Sequence, residues 1–322
     1  MKYSNTFLAE AKPTLVNRLG FAERARQDWK RHWEIYLIAL PVLLYYFMFC
    51  YVPMYGAVIA FKQYSPGLGI LRSPWVGLEN FRDFFSSYYF WRILKNTVVI
   101  SFSNLLFGFP APIILALLLN EVKVKWFKRS VQTISYLPHF ISLVVVCGLI
   151  KTFLGGNGII NQLLFSFFGI EKTNLLNNAS AFVPIYVLSG IWQEIGWGSI
   201  IYLAALSGID PSYYEAAVID GASRWQKMWN ITIPCILPTI IIMLILKIGG
   251  LMNLGHEKII LLYNDLTYDT ADTISTFVYR KGLQEYDWSY STAVGLFNSI
   301  INFILLISSN YVSRKCNDTS IW

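Results

Sequence analysis

The sequence predicts an all-α integral membrane protein with six transmembrane helices and both termini in the cytoplasm. Only 14% of the 322 residues are charged and 55% are hydrophobic, whereas soluble domains carry about 25% charged residues. Six stretches of 19 to 27 residues contain no Asp, Glu, Lys or Arg, and a helix needs about 20 such residues to cross a bilayer. These stretches are residues 35–61, 96–120, 130–150, 173–193, 228–246 and 288–313.

The distribution of Lys and Arg predicts the orientation, because cytoplasmic connections of membrane proteins are rich in these residues. The connections on one side hold 15 basic residues and those on the other side hold 8. The richer set is 1–34, 121–130, 208–235 and the residues after 312, and the poorer set is 62–93, 155–180 and 255–292. Topology therefore explains the formal charge of +7, and we predict no nucleic-acid partner.

The predicted organisation has one membrane domain and two tails. Residues 1–34 form a cytoplasmic or interfacial tail, 35–312 form the six-span domain with a cytoplasmic loop at 210–234, and 313–322 form a cytoplasmic tail. The first apolar run is longer than the core of a signal peptide, so it is expected to be retained. The four cysteines form no CxxC pair and the three histidines are scattered, so neither a disulfide framework nor a metal site is expected.

A seventh span over residues 152–170 is the main alternative topology, because this stretch also lacks charge. Glycines at 155, 156 and 158 interrupt its first half, and the remainder, 159–170, is too short to cross a bilayer. We therefore predict an outer-face loop that contains a short interfacial helix.

The segment 210–234 has the signals of two helices around a fixed turn. Asp210 can cap the first helix, with Pro211 at its first position. Gly221 supplies the left-handed residue that ends this helix. Ser223 and Gln226 have the spacing of a capping box that starts the second helix.

The second helix of this segment carries an apolar stripe formed by Trp225, Met228 and Trp229. From these signals alone, an ordinary helix–turn–helix connector is an equally good interpretation. A DNA-binding helix-turn-helix is disfavoured, because Arg224 and Lys227 are the segment's two basic residues.

The same segment resembles a known motif. Glu215-Ala216-Ala217, three residues, Gly221, nine residues and Ile231-x-Ile233-Pro234 is similar to the EAA loop of the membrane subunits of binding-protein-dependent ABC importers, with Ile233 where the usual pattern has Leu. Further segments resemble the LplB-type group of oligosaccharide permeases. They are Trp33-Glu34-x-Tyr36, Tyr51-Val-Pro53-Met54-Tyr55-Gly56, Ile59-Ala60-Phe61-Lys62, Ser73-Pro74-Trp75-Val76-Gly77-Leu78-Glu-Asn80-Phe81 and Tyr136-Leu137-Pro138.

The resemblance implies a type I ABC importer permease in the bacterial cytoplasmic membrane. It implies pairing with a second homologous permease in a heterodimer, with two cytoplasmic ABC ATPase subunits, and with an extracytoplasmic solute-binding protein that delivers an oligosaccharide. No G-x-x-x-x-G-K-[ST] phosphate-binding loop occurs in the sequence. ATP and Mg²⁺ are therefore expected on the partner ATPases, and the chain itself is expected to be a transport subunit with no cofactor or catalytic residues.

The resemblance also implies the roles of the loop residues. The helix 211–220 would lie in a cleft of the ATPase, Gly221 would set the angle to the second helix, and the stripe of Trp225, Met228 and Trp229 would anchor that helix to the bundle. Glu215 would pair with a basic group of the ATPase, and Asp220 would brace the turn. The predicted coupling residues are Glu215, Ala216, Ala217, Asp220, Gly221, Arg224 and Trp225.

The substrate path is expected where polar or aromatic side chains lie within spans, because ionisable residues are costly in a membrane. The candidates are Tyr186, Trp192, Gln193, Glu194, Trp197, Lys247, Asn253 and Asn298, with Asn302 as a further polar group. In the alternative interpretation, Glu194 and Lys247 pair with each other or with the partner permease and only hold helices together. His139 is expected to be a packed interfacial residue.

An ion- or proton-coupled secondary transporter is the alternative function, and it needs midplane carboxylates, of which Glu194 is the one clear example. An intramembrane enzyme is disfavoured, because the sequence has no HExxH or GxSxG motif. The sequence does not identify the sugar or say whether it is acidic or neutral.

Overall fold

The fold is described from a computed structural model, which covers residues 21–169, 173–317 and 320. Within these ranges the chain is helical throughout and contains no β-strand; a single antiparallel bridge joins Lys62 to Trp75. The chain divides into two compact units, residues 1–56 and 57–322. The predicted all-α class is confirmed.

In the first unit, helix α1 (Phe21–Tyr46) continues through a π-helical stretch (Phe47–Tyr51) into the short helix α2 (Val52–Met54). His32 interrupts α1 with φ −130° and ψ 24°. This kink lies two residues before the predicted end of the tail at residue 34. Part of the predicted tail is therefore helical, and its residues 1–20 lie outside the described residues.

A 3-10 helix, Tyr55–Phe61, precedes the helices of the second unit. These are α3 (Gly69–Arg72), α4 (Glu79–Ser86), α5 (Phe90–Ser103), α6 (Pro110–Glu121), α7 (Lys125–Tyr136), α8 (Leu143–Leu154), α9 (Ile159–Phe168), α10 (Phe182–Ser207), α11 (Pro211–Ile219), α12 (Arg224–Lys227), α13 (Ile233–Gly249), α14 (His256–Leu262), α15 (Tyr268–Ala271), α16 (Ile274–Tyr279) and α17 (Trp288–Asn317).

Short stretches of other helical types join several of these helices. A π-helical turn contains an extra residue relative to an α-helical turn and shifts the faces that follow it. The π-helical stretches are Asn104–Gly108, Met228–Thr232 and Arg280–Gln284, and the 3-10 stretches are Leu137–Phe140, Leu175–Asn177 and Ala179–Ala181.

Five helical segments in the described ranges are long and apolar enough to cross a membrane. They are Asp28–Phe61, Phe90–Glu121, Leu143–Phe168, Arg224–Gly249 and Trp288–Lys315. Helix α10 has 26 residues and is also long enough to cross, but Gln193 and Glu194 at its middle make it more polar. With α10 the count agrees with the six predicted spans.

The third predicted span, 130–150, is wrong as a single helix. The chain leaves helical geometry at Ile141, which is extended at φ −80° and ψ 133°. Ser142 then starts α8, and its side chain accepts a hydrogen bond from the Val145 N–H at 3.5 Å. Pro138, which has no N–H to donate, lies just before the break.

The fourth predicted span, 173–193, is displaced in the structure. Its first part holds two short 3-10 helices, and the long helix α10 begins at Phe182 and ends at Ser207. The prediction ended this span at a charge, whereas α10 continues through Glu194, whose carboxylate has a partner (below).

The structure contains the glycine-rich interruption that argued against a seventh span. Helix α8 ends at Leu154, and α9 has ten residues, which is too short to cross on its own. Asn161 donates to the carbonyl oxygens of Leu154 (3.0 Å) and Gly155 (2.7 Å) and so fixes the bend. The placement of this loop on the outer face stays a prediction.

Three buried clusters hold the second unit together. One joins α5, α8, α10 and α14, and includes Ile100, Cys147 and Tyr186. A second joins α4, α5, α16 and α17. The third packs α6, α10 and α13 around Ala116 and Tyr202. Helix α10 takes part in two of the clusters, and of its two central polar residues Gln193 is buried and Glu194 is exposed.

Candidate functional site

The loop 210–234 forms the predicted pair of helices around a turn. The Asp210 carboxylate accepts a hydrogen bond from the Ser212 N–H at 2.9 Å, and the backbone and side-chain hydrogen bonds from Ser212 lower the pKa of Asp210. Gly221 ends α11 in the left-handed conformation, with φ +73°. The Ser223 N–H donates to Gln226 Oε1 at 2.8 Å, and the Gln226 N–H donates to Ser223 Oγ at 3.3 Å, which completes the capping box.

The predicted coupling residues lie together on an exposed surface of this loop. Glu215, Ala216, Asp220, Gly221, Arg224 and Trp225 are exposed, and Ala217 is half-buried. Ile219 is 86% exposed at the end of α11, so the loop presents an apolar side chain with no protein covering it.

Contacts within this chain do not supply the predicted anchoring of the second helix to the membrane bundle, which stays a prediction. Trp225 and Trp229 pack against each other, with ring centroids 6.0 Å apart, and both remain more than half exposed. Met228 is half-buried. The bundle of this chain therefore leaves the two indole rings accessible.

A hydrogen bond connects the two helices of the loop instead. Tyr214 Oη in α11 lies 2.9 Å from Thr232 Oγ1, which also donates to the Lys227 carbonyl oxygen at 3.3 Å. Thr232 is buried at the start of α13. Because it joins residues 18 positions apart, the bond ties the exposed helix α11 to the long helix that begins at Arg224. Sequence reasoning gave no signal for this pair.

A polar cavity of about 300 Å³ lies beside the middle of α10. It brings together four predicted path residues, Tyr186, Gln193, Glu194 and Lys247, with Lys258, which sequence reasoning missed. The remaining lining residues are Asn104, Gly108, Pro112, Leu143, Gly190, Ile191 and Ile195. The cavity therefore has amide, carboxylate, ammonium and phenol groups on its wall.

Glu194 has a partner other than Lys247, with which the alternative interpretation paired it. Its Oε2 lies 2.9 Å from Nδ1 of His139. The His139 ring in turn stacks on Trp197, with centroids 4.4 Å apart and planes within 2°. The pairing of Glu194 with Lys247 in the alternative interpretation is therefore not formed among the residues described, and His139 is a partner of a cavity residue.

Lys258 is the most buried cation of the cavity. Its side chain comes from α14, and the residue is 9% exposed. Its Nζ donates to the Tyr186 carbonyl oxygen at 3.1 Å and lies 4.8 Å from the centroid of the Tyr186 ring. Burial lowers the pKa of Lys258 to about 8. Lys258 was not predicted as a path residue, because it lies in a connection outside the apolar runs.

The other predicted path residues lie elsewhere. Trp192 lines a separate apolar cavity of about 420 Å³ with residues of α8 and α9, among them Leu149 and Phe153. Asn298 and Asn302 both donate to Asn253 Oδ1, at 2.9 and 3.0 Å. The asparagines therefore link α17 to the turn after α13, and the structure does not bring them to the polar cavity.

A second polar cluster lies among α5, α15 and α16, around the fully buried Asp272. Arg280 and Arg92 approach its Oδ2 at 2.9 and 3.5 Å, and Thr276 donates to its Oδ1 at 2.8 Å. Burial opposes the charge of Arg280, but the hydrogen bond and charge of Asp272 raise the pKa of this guanidinium. The cations here are balanced by carboxylates, and the cluster braces the connection 255–292.

The sequence of this chain is similar to those of known membrane transport proteins. A family model for the inner membrane component of binding-protein-dependent transport systems matches residues 108–318. Protein LplB of Bacillus subtilis is 46% identical over 294 residues, which are 91% of this chain and 92% of that protein. The polygalacturonan/rhamnogalacturonan transport system permease protein YteP of Bacillus subtilis is 47% identical over 319 residues, which are 98% and 99% of the two chains.

Solved structures give the same result. A chain in the crystal structure of a bacterial ABC transporter involved in the import of the acidic polysaccharide alginate has a TM-score of 0.85 and 45% sequence identity, covering 92% of this chain and all of that one. A second structure holds this kind of transporter in complex with a periplasmic protein bound to an alginate pentasaccharide; its matching chain has a TM-score of 0.85 and 44% identity, and covers 93% of this chain and 100% of that chain.

Proposed function

Because the chain belongs to the family of inner membrane components of binding-protein-dependent transport systems, we propose that it is the permease subunit of an ATP-driven oligosaccharide importer. It pairs with a second, homologous permease and with two cytoplasmic ATPases that bind ATP and Mg²⁺. An extracytoplasmic solute-binding protein delivers the oligosaccharide. The sugar polymers named for YteP and for the alginate importer support this substrate class.

The observation that carries the proposal is the exposed helix–turn–helix at 210–234. Helix α11 lies outside the candidate spans and ends at a fixed left-handed turn, with Glu215 and Ile219 uncovered. Such a helix fits a cleft in a partner, with an apolar side chain for burial and a carboxylate for a basic group. This is the position at which the ATPase subunit acts on the permease.

Movement of α11 reaches the membrane through the bond between Tyr214 and Thr232. Thr232 lies in the helical segment Arg224–Gly249, which also carries Lys247 into the polar cavity. When the ATPase dimer closes on ATP, displacement of α11 therefore tilts a helix that forms part of the cavity wall. Such a rigid-body tilt exchanges inward-open and outward-open states.

The polar cavity is the part of the path contributed by this chain. Tyr186, Gln193, Glu194 and Lys247 give it hydrogen-bonding groups suited to the hydroxyls of a sugar. The two exposed tryptophans of the loop, Trp225 and Trp229, are available to the lipid or to another subunit. The second permease contributes the rest of the path.

The test is uptake by the assembled importer in proteoliposomes, with both permeases, the ATPases and the binding protein. Radiolabelled oligosaccharide should accumulate with ATP inside and stop when ATP is depleted while the proton gradient is held. Collapse of the gradient with an ionophore at constant ATP should leave uptake unchanged. Uptake that follows the gradient and ignores ATP would instead support the ion-coupled alternative.

A further inference from the structure

The charges that face the polar cavity are unequally matched. Lys247 and Lys258 contribute two ammonium groups, and Glu194 contributes the cavity's one carboxylate. That carboxylate is hydrogen-bonded to His139 at 2.9 Å. Among the residues that the structure describes, neither lysine lies within ion-pair distance of an acidic side chain. The cavity therefore offers positive charge without a matching anion.

Lys258 is held with its charge directed at this space. One of its three N–H groups is used by the Tyr186 carbonyl, and the ring of Tyr186 supports the ammonium at 4.8 Å. A methyl group added to Gly190 would lie 3.4 Å from Nζ, so Gly190 leaves room for the ammonium beside α10. A pKa of about 8 leaves Lys258 mainly protonated at pH 7.

A buried ammonium with no carboxylate partner is expensive, because desolvation is not repaid by an ion pair. The cost is justified where the missing anion arrives with a ligand. The balanced cluster around Asp272 makes the contrast clear, since its arginines already have carboxylate partners.

We propose that Lys258, with Lys247 as a second cation, binds the carboxylate of an acidic oligosaccharide, so that the polar cavity selects sugars made of uronate residues. This inference rests on the proposed function. The two remaining N–H groups of Lys258 donate to the carboxylate, and Gln193 hydrogen-bonds sugar hydroxyls. Charge-assisted hydrogen bonds to a carboxylate are about twice as strong as neutral ones, so one well-placed lysine is enough to discriminate.

The experiment compares matched sugars and matched variants in the assembled importer. The probes are trisaccharides of galacturonate, mannuronate and guluronate, each paired with its carboxyl-reduced neutral form. The variants are Lys258→Gln, which keeps a donor but loses the charge, and Lys258→Arg, which keeps the charge. Lys151→Gln, an exposed lysine at the end of α8 outside the cavity lining, is the control.

Uptake of the preferred uronate trisaccharide should fall about tenfold in Lys258→Gln, whereas uptake of the reduced form should be unchanged or increase. Lys258→Arg should keep most of the uronate uptake, and Lys151→Gln should match the parent for both sugars. The same binding protein serves every variant, so its own preference cancels from the ratio of variant to parent.

Two outcomes would overturn the inference while leaving the importer intact. An equal fall for charged and neutral sugars in Lys258→Gln would show that Lys258 only supports the fold, and a parent importer that carries the neutral forms as fast as the uronates would show no charge selection. Failure of the proposed function has a different signature, because uptake would then not depend on ATP for any sugar.

Discussion

Gly196 of α10 lies directly against the backbone carbonyl of Ser135 in α7. A Cβ built on Gly196 would be 2.1 Å from the Ser135 carbonyl oxygen and 2.8 Å from the Tyr136 nitrogen. Both neighbours are backbone atoms, so neither can move aside as a side-chain end would. This close approach sets the separation of α10 and α7 two residues from Glu194 along α10 and four residues before His139 along the chain.

We expect Gly196→Ala to destabilise the protein by about 1–3 kcal/mol, because the added methyl group forces the two backbones apart. Thermal unfolding of the detergent-solubilised importer measures the effect. Gly148→Ala in α8 is the matched control, since nothing lies within 4 Å of a Cβ there. If the two alanine variants melted at the same temperature, the close contact at Gly196 would be contradicted.

Gly221 tests the turn of the loop 210–234. There is space around it for a side chain, but its φ is +73°, a region that costs an ordinary residue about 1–2 kcal/mol. Gly221→Val should therefore insert and assemble normally while losing most of the stimulation of ATP hydrolysis by the loaded binding protein. Gly221→Asn should retain the stimulation, because Asn adopts this conformation readily. Full stimulation in the valine variant would refute the role of the turn.

Glu215 tests the contact with the ATPase. Reversal of its charge in Glu215→Lys should lower substrate-stimulated ATP hydrolysis about tenfold, because a charge-assisted contact becomes repulsive. Protein yield and melting temperature should not change, since the side chain is exposed. Glu121→Lys, at the exposed end of α6, serves as the control for added charge on the predicted cytoplasmic side. Equal hydrolysis in the two variants would argue against the contact.

Glu194 tests the charge of the polar cavity. If the cavity binds a carboxylate, Glu194→Gln should raise uptake of a uronate trisaccharide about threefold, because a like charge is removed while the side chain can still accept a hydrogen bond from His139. Uptake of the carboxyl-reduced trisaccharide should stay constant. The opposite result, a selective loss of uronate uptake, would assign Glu194 a direct role in holding the sugar.

The pH dependence of uptake tests the ammonium of Lys258. Raising the pH through about 8 removes its proton, so the ratio of uronate to reduced-sugar uptake should fall between pH 7 and pH 9 and recover on return. Tyr186, Cys147 and Glu194 also face this amine. Lys258→Arg separates their contribution, because a guanidinium stays charged over this range. A ratio that fell equally in the arginine variant would point to one of the neighbours.

The local signals in the sequence predicted the loop 210–234 well. The capping box at Ser223 and the left-handed Gly221 depend on residues within a few positions of each other, and the structure forms both. The role of the tryptophan stripe stays a prediction, because the periodic placement of Trp225 and Trp229 shows that they share a face but not what that face contacts.

The substrate path was harder to predict for a related reason. The prediction took each span as a run without charged residues, so the fourth span ended at residue 193. The helix continues past this point, because the Glu194 carboxylate is paired with His139. Lys258 was missed because it belongs to a connection between spans. It reaches the cavity because α14 packs beside α10, and the sequence does not predict that packing. Asn298 was included because it is polar, and the structure uses it to hold α17 to Asn253.

Because of the π-helical stretch Asn104–Gly108, the second span cannot lose even one residue without a change in how its two halves face their neighbours. Before it, Asn96 donates to the carbonyl oxygens of Asp269 and Asp272 at 2.9 and 3.0 Å, and after it, Ala116 is fully buried in the cluster with α10 and α13. Removing one residue would restore a regular helix but rotate one half against the other by about 100°. One of the two attachments would then face the lipid, so evolution can exchange residues in this stretch far more readily than it can delete one.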